Sequence, residues 1–325
     1  MKRRRKAPFP HIAVDLRLMD IFLQQIINGL VQGSIYALVA LGYTMVYGIM
    51  GLINFAHGEV VMIGTLVTIT VAGTMIKAGM PVVLAGFAGI SVAVLVCIAL
   101  GWGLERIAYR PLRNAPRLTP LITAIGMSIV LQNMAMIIWG RNYMTFPPLF
   151  PKIQYEFAGA NFTAVQVIIV LVSALTMGGL LLLVYRTKLG MAMRATAQNP
   201  AVASLMGVNI NRVIAAAFVI GSALGAVAGV MVGSYYEIAH YQMGFMLGLK
   251  AFTAAVLGGI GNLGGAMAGG ILLGLIEALG AGYIGDLTGG FLGSHYQDIF
   301  AFIVLIGVLM FKPSGLFGEK TGDRA

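Results

Sequence analysis

Apolar residues run through this chain in long blocks that charged residues rarely interrupt. Residues 21–58 contain no Asp, Glu, Lys or Arg over 38 positions, and the blocks 60–76, 78–104, 118–140, 157–185, 213–236, 251–276 and 299–311 repeat the pattern. The hydrocarbon core of a bilayer is about 30 Å thick and takes about 20 apolar residues per helix. The blocks predict an all-α integral membrane protein of about eight transmembrane segments. A membrane barrel would alternate apolar and polar positions over stretches of about ten residues. These blocks are too long and too uniformly apolar for that.

Two blocks carry interruptions. Gly48, Gly51, Asn54, His57 and Gly58 break the first, and Gly258, Gly259, Gly261, Asn262, Gly264 and Gly265 break the one before last. Non-helical backbone at membrane depth is tolerated only where protein or a water-filled path satisfies it. Breaks in both halves of a chain point to a transport site, because unwound helix ends turn their dipoles toward substrate. The Gly-interrupted segments near 48–58 and 258–265 are therefore candidates for re-entrant structure. Asn54, His57, Glu59, Gly258, Gly259 and Gly261 are candidates for a translocation path. A plain hinge at 54–59 and plain helix packing at 258–265 remain open beside that reading. Packing is the favoured reading for Gly221, Gly225, Gly229 and Gly233, whose four-residue spacing lines one helix face.

Composition sharpens the membrane assignment. The 325 residues are 59% hydrophobic and 10% charged, with a mean hydropathy of +0.90, whereas soluble domains carry about 25% charged residues. The net charge of +10 does not indicate nucleic acid, because the basic residues fall between apolar blocks, where cytoplasmic loops collect them. Arg106, Arg110, Arg113 and Arg117 place one loop in the cytoplasm, and Arg186, Lys188, Arg194 and Arg212 place another. The connection 141–161 is then external, with only Arg141 and Lys152 as basic residues. The basic tail Lys2–Lys6 conflicts with three apolar segments before Glu105. Either the tail lies outside or one early segment does not fully cross; starting the chain at Met19 would remove the conflict. Pro8, Pro10, Asp15, Arg17 and Asp20 precede the first apolar block, so it reads as a retained span and not as a cleaved signal. The domain reading is a tail (1–20), a permease unit (21–318) and a C-terminal tail (319–325).

Little in the sequence suggests catalysis. No GxxxxGK[ST] loop exists to hold ATP phosphates, no residue set has metal-ligand spacing, and Cys97 stands alone. No cofactor is expected. Ionisable groups inside a span suggest function by default. Glu59 sits beside the first break, while Glu277 and Asp298 read as interfacial or helix-end carboxylates. Asn28, Gln32, Gln132 and Asn133 read as hydrogen-bonding ties between helices. Within the cytoplasmic stretch Arg194–Arg212, Ala201–Met206 is too short to cross a membrane and too apolar for a free loop. It is either a coupling helix for an ATPase groove or a helix lying in the membrane interface.

The runs 28–30, 33–38, 42–48 and 53–59 resemble the LivH-type permease of branched-chain amino acid ABC transporters. So do 105–111, 125–128, 203–209, 218–221 and 250–261, and the resemblance covers roughly 21–318. It implies a bacterial inner-membrane, multi-pass subunit moving leucine, isoleucine and valine. It also implies a second related permease subunit, two ATP-binding subunits and an external substrate-binding protein as partners, besides the lipid bilayer and without nucleic acid. In that family Asn199, Pro200, Ala203, Ser204, Leu205, Met206 and Gly207 would lie in the cytoplasmic loop that touches the ATPase. Gln198 and Asn199 stand where family members often carry acidic residues. Relatives for urea or short-chain amides are the alternative cargo reading. A stand-alone secondary transporter is a further one, poorly supplied with mid-membrane carboxylates.

Overall fold

A computed structural model of the chain describes residues 10–318 except 114, 117, 158 and 289–296. The tail Lys2–Lys6 and the segment 319–325 lie outside the described residues. Among those described, seven helices are long and apolar enough to cross a membrane: Asp20–Met50, His57–Lys77, Val82–Leu112, Leu118–Trp139, Ala164–Arg186, Ile210–Tyr236 and Leu263–Gly285. Two shorter apolar helices, Met243–Gly258 and Ala301–Phe311, accompany them. The protein is a multi-pass helical membrane protein.

In chain order the helices are α1 (Pro10–Met50), α2 (His57–Lys77), α3 (Val82–Leu104), α4 (Leu118–Trp139), α5 (Ala164–Arg186), α6 (Lys188–Gln198), α7 (Pro200–Leu205), α8 (Ile210–Tyr236), α9 (Met243–Gly258), α10 (Leu263–Leu287) and α11 (Gln297–Phe311). The 251–276 block is not one span. It is the end of α9 and the start of α10, joined through the break at 259–262. Helix α9 reaches back to Met243 because Lys250 sits inside it and only interrupts the run of uncharged residues. Helix α3 likewise continues past Leu104 through a π-turn (Glu105–Tyr109) and a 3-10 turn (Arg110–Leu112). There Glu105 is buried and ion-paired with Arg113, so part of the expected loop is helix.

Helices α1, α2 and α8 are mostly buried, while α3, α4 and α5 expose most of their surface. In water that exposure would be prohibitive; in a bilayer it is the lipid-facing ring. The most extensive pairing is α1 against α10, which run antiparallel. Small residues make it close: Gly29 faces Leu275, Gly33 faces Ile271, and Gly270 faces Ala37. The glycine series on α8 packs as its spacing predicts. Gly225 meets His57, Val60 and Val61, Gly229 meets Val61 and Thr65, and Gly233 meets Phe146 and Thr65. Helices α2 and α8 therefore run parallel in contact.

Helix ends define two faces. Arg106, Arg110, Arg113, Arg186, Lys188, Arg194, Arg212 and Lys312 gather at one, whereas Lys77, Arg141 and Lys152 are at the other. The basic excess marks the first as cytoplasmic. Helix α1 starts at the opposite face, where Asp20 lies against Gly159 and Gln24 exchanges hydrogen bonds with Asn161 (3.0 and 2.8 Å). That face also carries two antiparallel strand pairs, Met144–Thr145 with Ile238–Ala239 and Gln154–Phe157 with Ala160–Thr163. A capping box between Thr163 and Gln166 starts α5 directly after the second pair.

Candidate functional site

The first break occupies 51–56 and ends where His57 opens α2. Gly51 takes φ 65°, a left-handed value that glycine adopts without a Cβ penalty, and this stops α1. The chain then turns back alongside α1: the His57 ring lies against Gly42, more than two turns above Met50, and against Gly225 of α8. Tyr43 meets the same ring edge-on at 5.1 Å. Helix α2 thus begins within the bundle. Asn54 is buried and its side-chain oxygen accepts a hydrogen bond from Tyr109 of the π-turn at 2.8 Å. That bond pins the break to the cytoplasmic end of α3.

Glu59, in the first turn of α2, is 0% exposed. Its Oε1 accepts from Ser128 Oγ at 2.9 Å and from Gln132 Nε2 at 3.2 Å, both on α4. Gly244 of α9 lies directly against its other oxygen, and no larger residue would fit there. Gln132 is a helix tie as its sequence position suggests; its partner is the buried carboxylate.

The second break, 259–262, is equally specific. Gly259 and Gly261 take φ 105° and 97°, and Gly258 packs backbone to backbone with Gly265. The C-terminal segment folds over this corner. Leu316 and Phe317 donate their N–H groups to Leu257 O and Gly258 O at 2.9 and 3.0 Å, and Asn262 donates to Phe317 O at 3.0 Å. Gly258 and Gly259 are thus enclosed by backbone, while Gly261 faces Gly48, which the structure keeps in the last turn of α1 instead of in the break.

Four cavities follow α1 from one face to the other. The outermost, about 240 Å³, is lined by Tyr36, Tyr143, His240 and Lys250 among others, and shares Met246 with the next. That second chamber, about 640 Å³, is lined by Tyr43, Phe55, Ser128, Gln132, Phe245 and Leu249 and shares Tyr43 with a third of about 10 Å³. The third holds Ile53 and Ile260, one residue from each break, and shares Thr44 with a fourth of about 80 Å³. The fourth reaches Gly261, Arg194 and Ala197 at the basic face. The two breaks meet along this series. Asn54 and His57 stand behind it, as supports.

Glu277 is not a helix-end carboxylate, although its sequence position suggests one, whereas Asp298 does stand in the first turn of α11. Glu277 is 0% exposed and its Oε2 accepts from Tyr36 Oη at 2.8 Å and from Lys250 Nζ at 3.1 Å. Lys250 also lies 2.7 Å from Asp298 Oδ1, so α1, α9, α10 and α11 are joined by one ionic cluster. Sequence reading missed Lys250 as its centre. A lone lysine amid apolar positions was the available signal.

At the basic face, α7 is written with explicit start and stop residues. The Asn199 side chain accepts from the Val202 N–H at 3.1 Å, Pro200 occupies the first turn, and Gly207 at φ 84° ends the helix. Ala203 is buried against the body, whereas Leu205 and Met206 are 87% and 81% exposed.

Comparison with known proteins places this architecture. The family described as branched-chain amino acid transport system / permease component matches residues 25–309. The permease protein BraD of the high-affinity branched-chain amino acid transport system of Pseudomonas aeruginosa is 47% identical over 311 residues, 93% of this chain and 98% of its own length. The corresponding LivH of Escherichia coli K12 is 46% identical over 312 residues, 93% and 97% of the two chains. LsrC, an autoinducer 2 import system permease of Enterobacter sp. strain 638, is 31% identical over 230 residues, 68% of this chain and 64% of its own. The chain belongs to the permease-component family of branched-chain amino acid transport systems.

Proposed function

We propose that this chain is a transmembrane permease subunit of a bacterial inner-membrane ABC importer carrying leucine, isoleucine and valine. A second related permease, two ATP-binding subunits and an external substrate-binding protein complete the machine. The observation that carries this reading is the series of cavities along α1, which runs from the face with few basic residues to the basic face through both helix breaks. Its largest chamber is walled by Phe55, Ile125, Ile129, Phe245, Met246 and Leu249. Such a lining suits an aliphatic side chain better than urea or a small amide. Asn54 and His57 support that path from behind, Glu59 backs its largest chamber through Ser128 and Gln132, and Gly258, Gly259 and Gly261 form its cytoplasmic corner. Uptake of labelled leucine, isoleucine, valine and urea by a strain lacking this chain, with and without restoring it, is the test. Unchanged leucine uptake without the chain would refute the cargo assignment.

Asn199, Pro200, Ala203, Ser204, Leu205, Met206 and Gly207 form the ATPase-coupling element in this reading. The support is the projection of Leu205 and Met206 from a capped, short helix at the basic face, an apolar tip of the kind that needs a protein partner. The departure at Gln198 and Asn199 makes this a packed contact and not a salt bridge. Replacing Leu205 and Met206 together with Asp leaves the permease inserted and folded, since both side chains touch little of the body. It should separate ATP hydrolysis from transport, lowering uptake by at least about tenfold through loss of two buried apolar anchors. Uptake measured beside ATP hydrolysis in the same vesicles checks this, and wild-type uptake in the double variant would exclude the stretch as the contact.

A further inference from the structure

The buried carboxylate of Glu59 lacks the partner that its setting demands. Its Oε1 accepts two hydrogen bonds, but its Oε2 has none. The ion pairs among the described residues are Arg113–Glu105, Lys152–Glu237, Lys250–Glu277 and Lys250–Asp298, so no described cation pairs with Glu59. A buried carboxylate without a cation is costly to ionise, and such a group inside a membrane protein suggests function by default. The N-terminus of α2 offsets part of that cost, since Glu59 sits in its first turn.

What lies in front of Glu59 is specific. Ser128 and Gln132, its two donors, line the 640 Å³ chamber and connect the buried carboxylate to that space. Around them the wall is largely apolar, with Tyr43 and Gln242 as the other polar groups. A negative pole on one side of an apolar chamber complements a ligand with an ammonium at one end and an aliphatic body at the other.

We propose that Glu59 is the ammonium-selecting group of a transit site in this chamber. The cargo amino acid directs its α-ammonium to the Ser128–Gln132–Glu59 wall and lays its side chain against Phe55, Phe245, Met246 and Leu249. This deepens the importer reading and rests on it. The cargo passes the chamber one way round, and its ammonium brings the cation that Glu59 lacks among the described residues.

The test uses the complete transporter in proteoliposomes, with binding protein loaded with labelled leucine outside. Glu59→Gln keeps the shape and removes the charge. Uptake should fall by at least about tenfold, from loss of the carboxylate behind Ser128 and Gln132, while stimulated ATP hydrolysis continues; Glu59→Asp should recover part of the loss. Wild-type uptake by Glu59→Gln would overturn the proposal, because a neutral structural acid tolerates the amide. Should that variant fail to assemble, Gln132→Lys decides. Its tethered ammonium would occupy the pole and block leucine, and unimpaired uptake would overturn the proposal equally. A wild-type complex that moves no leucine would instead reject the importer reading, and the transit site with it.

Discussion

Lys250→Met will destabilise the permease by roughly 3–5 kcal/mol, the cost of stripping one partner from a buried ion pair. Glu277 is fully buried and Asp298 is partly so, and both face the same ammonium. Methionine fills the volume of the lysine stem but leaves two carboxylates without compensation. The loss will be read as a lower unfolding temperature in detergent and a smaller yield of assembled complex. A triple variant separates charge from packing: Lys250→Met with Glu277→Gln and Asp298→Asn removes every charge together. It should recover most of the lost stability, because a neutral, shape-matched replacement of a buried ionic cluster is often harmless. Equal instability in the single and triple variants would show that the lysine stem, and not its charge, supports the bundle.

The second large effect is expected at the α1–α10 seam. A Cβ placed on Gly33 would lie 2.7 Å from Ile271 Cα, and one on Gly270 would lie 2.5 Å from Ala37 Cα. The obstacles are backbone atoms, which cannot rotate away. Gly33→Leu must therefore separate the two helices that share the most extensive interface, at roughly 3 kcal/mol, the upper end of ordinary overpacking. Gly178→Leu on α5 is the control, since an added Cβ there meets nothing within 4 Å. Thermal unfolding of both variants should show a large drop for Gly33 and none for Gly178. Equal behaviour would mean that the seam is elastic.

Much of this architecture was readable from the chain because membrane spans are set by length and apolarity. The blocks at 60–76, 118–140 and 213–236 became α2, α4 and α8 with little change. Both glycine-rich interruptions were found where the chain breaks, since left-handed backbone at Gly51, Gly259 and Gly261 requires residues without a Cβ. Counting uncharged runs misled at Lys250, Glu277 and Asp298. Each stands at the edge of an uncharged run, yet one ammonium meets two carboxylates across three helices, a fact that no local pattern carries. Pairing of Asn54 with Tyr109, 55 positions later, is equally invisible to spacing. The short strand pairs at 144–163 and 238–239 were missed because two- and four-residue strands have no periodicity to read. Glu59 was legible as a position; its donors on α4 and its lack of a cation were not.

The smallest of the four chambers has a consequence for energy conservation. At about 10 Å³ it has room for about a single water molecule. Tyr43, Thr44, Tyr47, Ile53, Phe252, Ala255 and Ile260 line it, and four of these seven side chains offer no hydrogen-bonding group. Protons cross membranes along unbroken files of water, and sodium ions need a hydrated throat. A throat this narrow limits the water that can stand between the wide chamber and the basic face, and so limits leakage down the gradients that the cell spends energy to maintain.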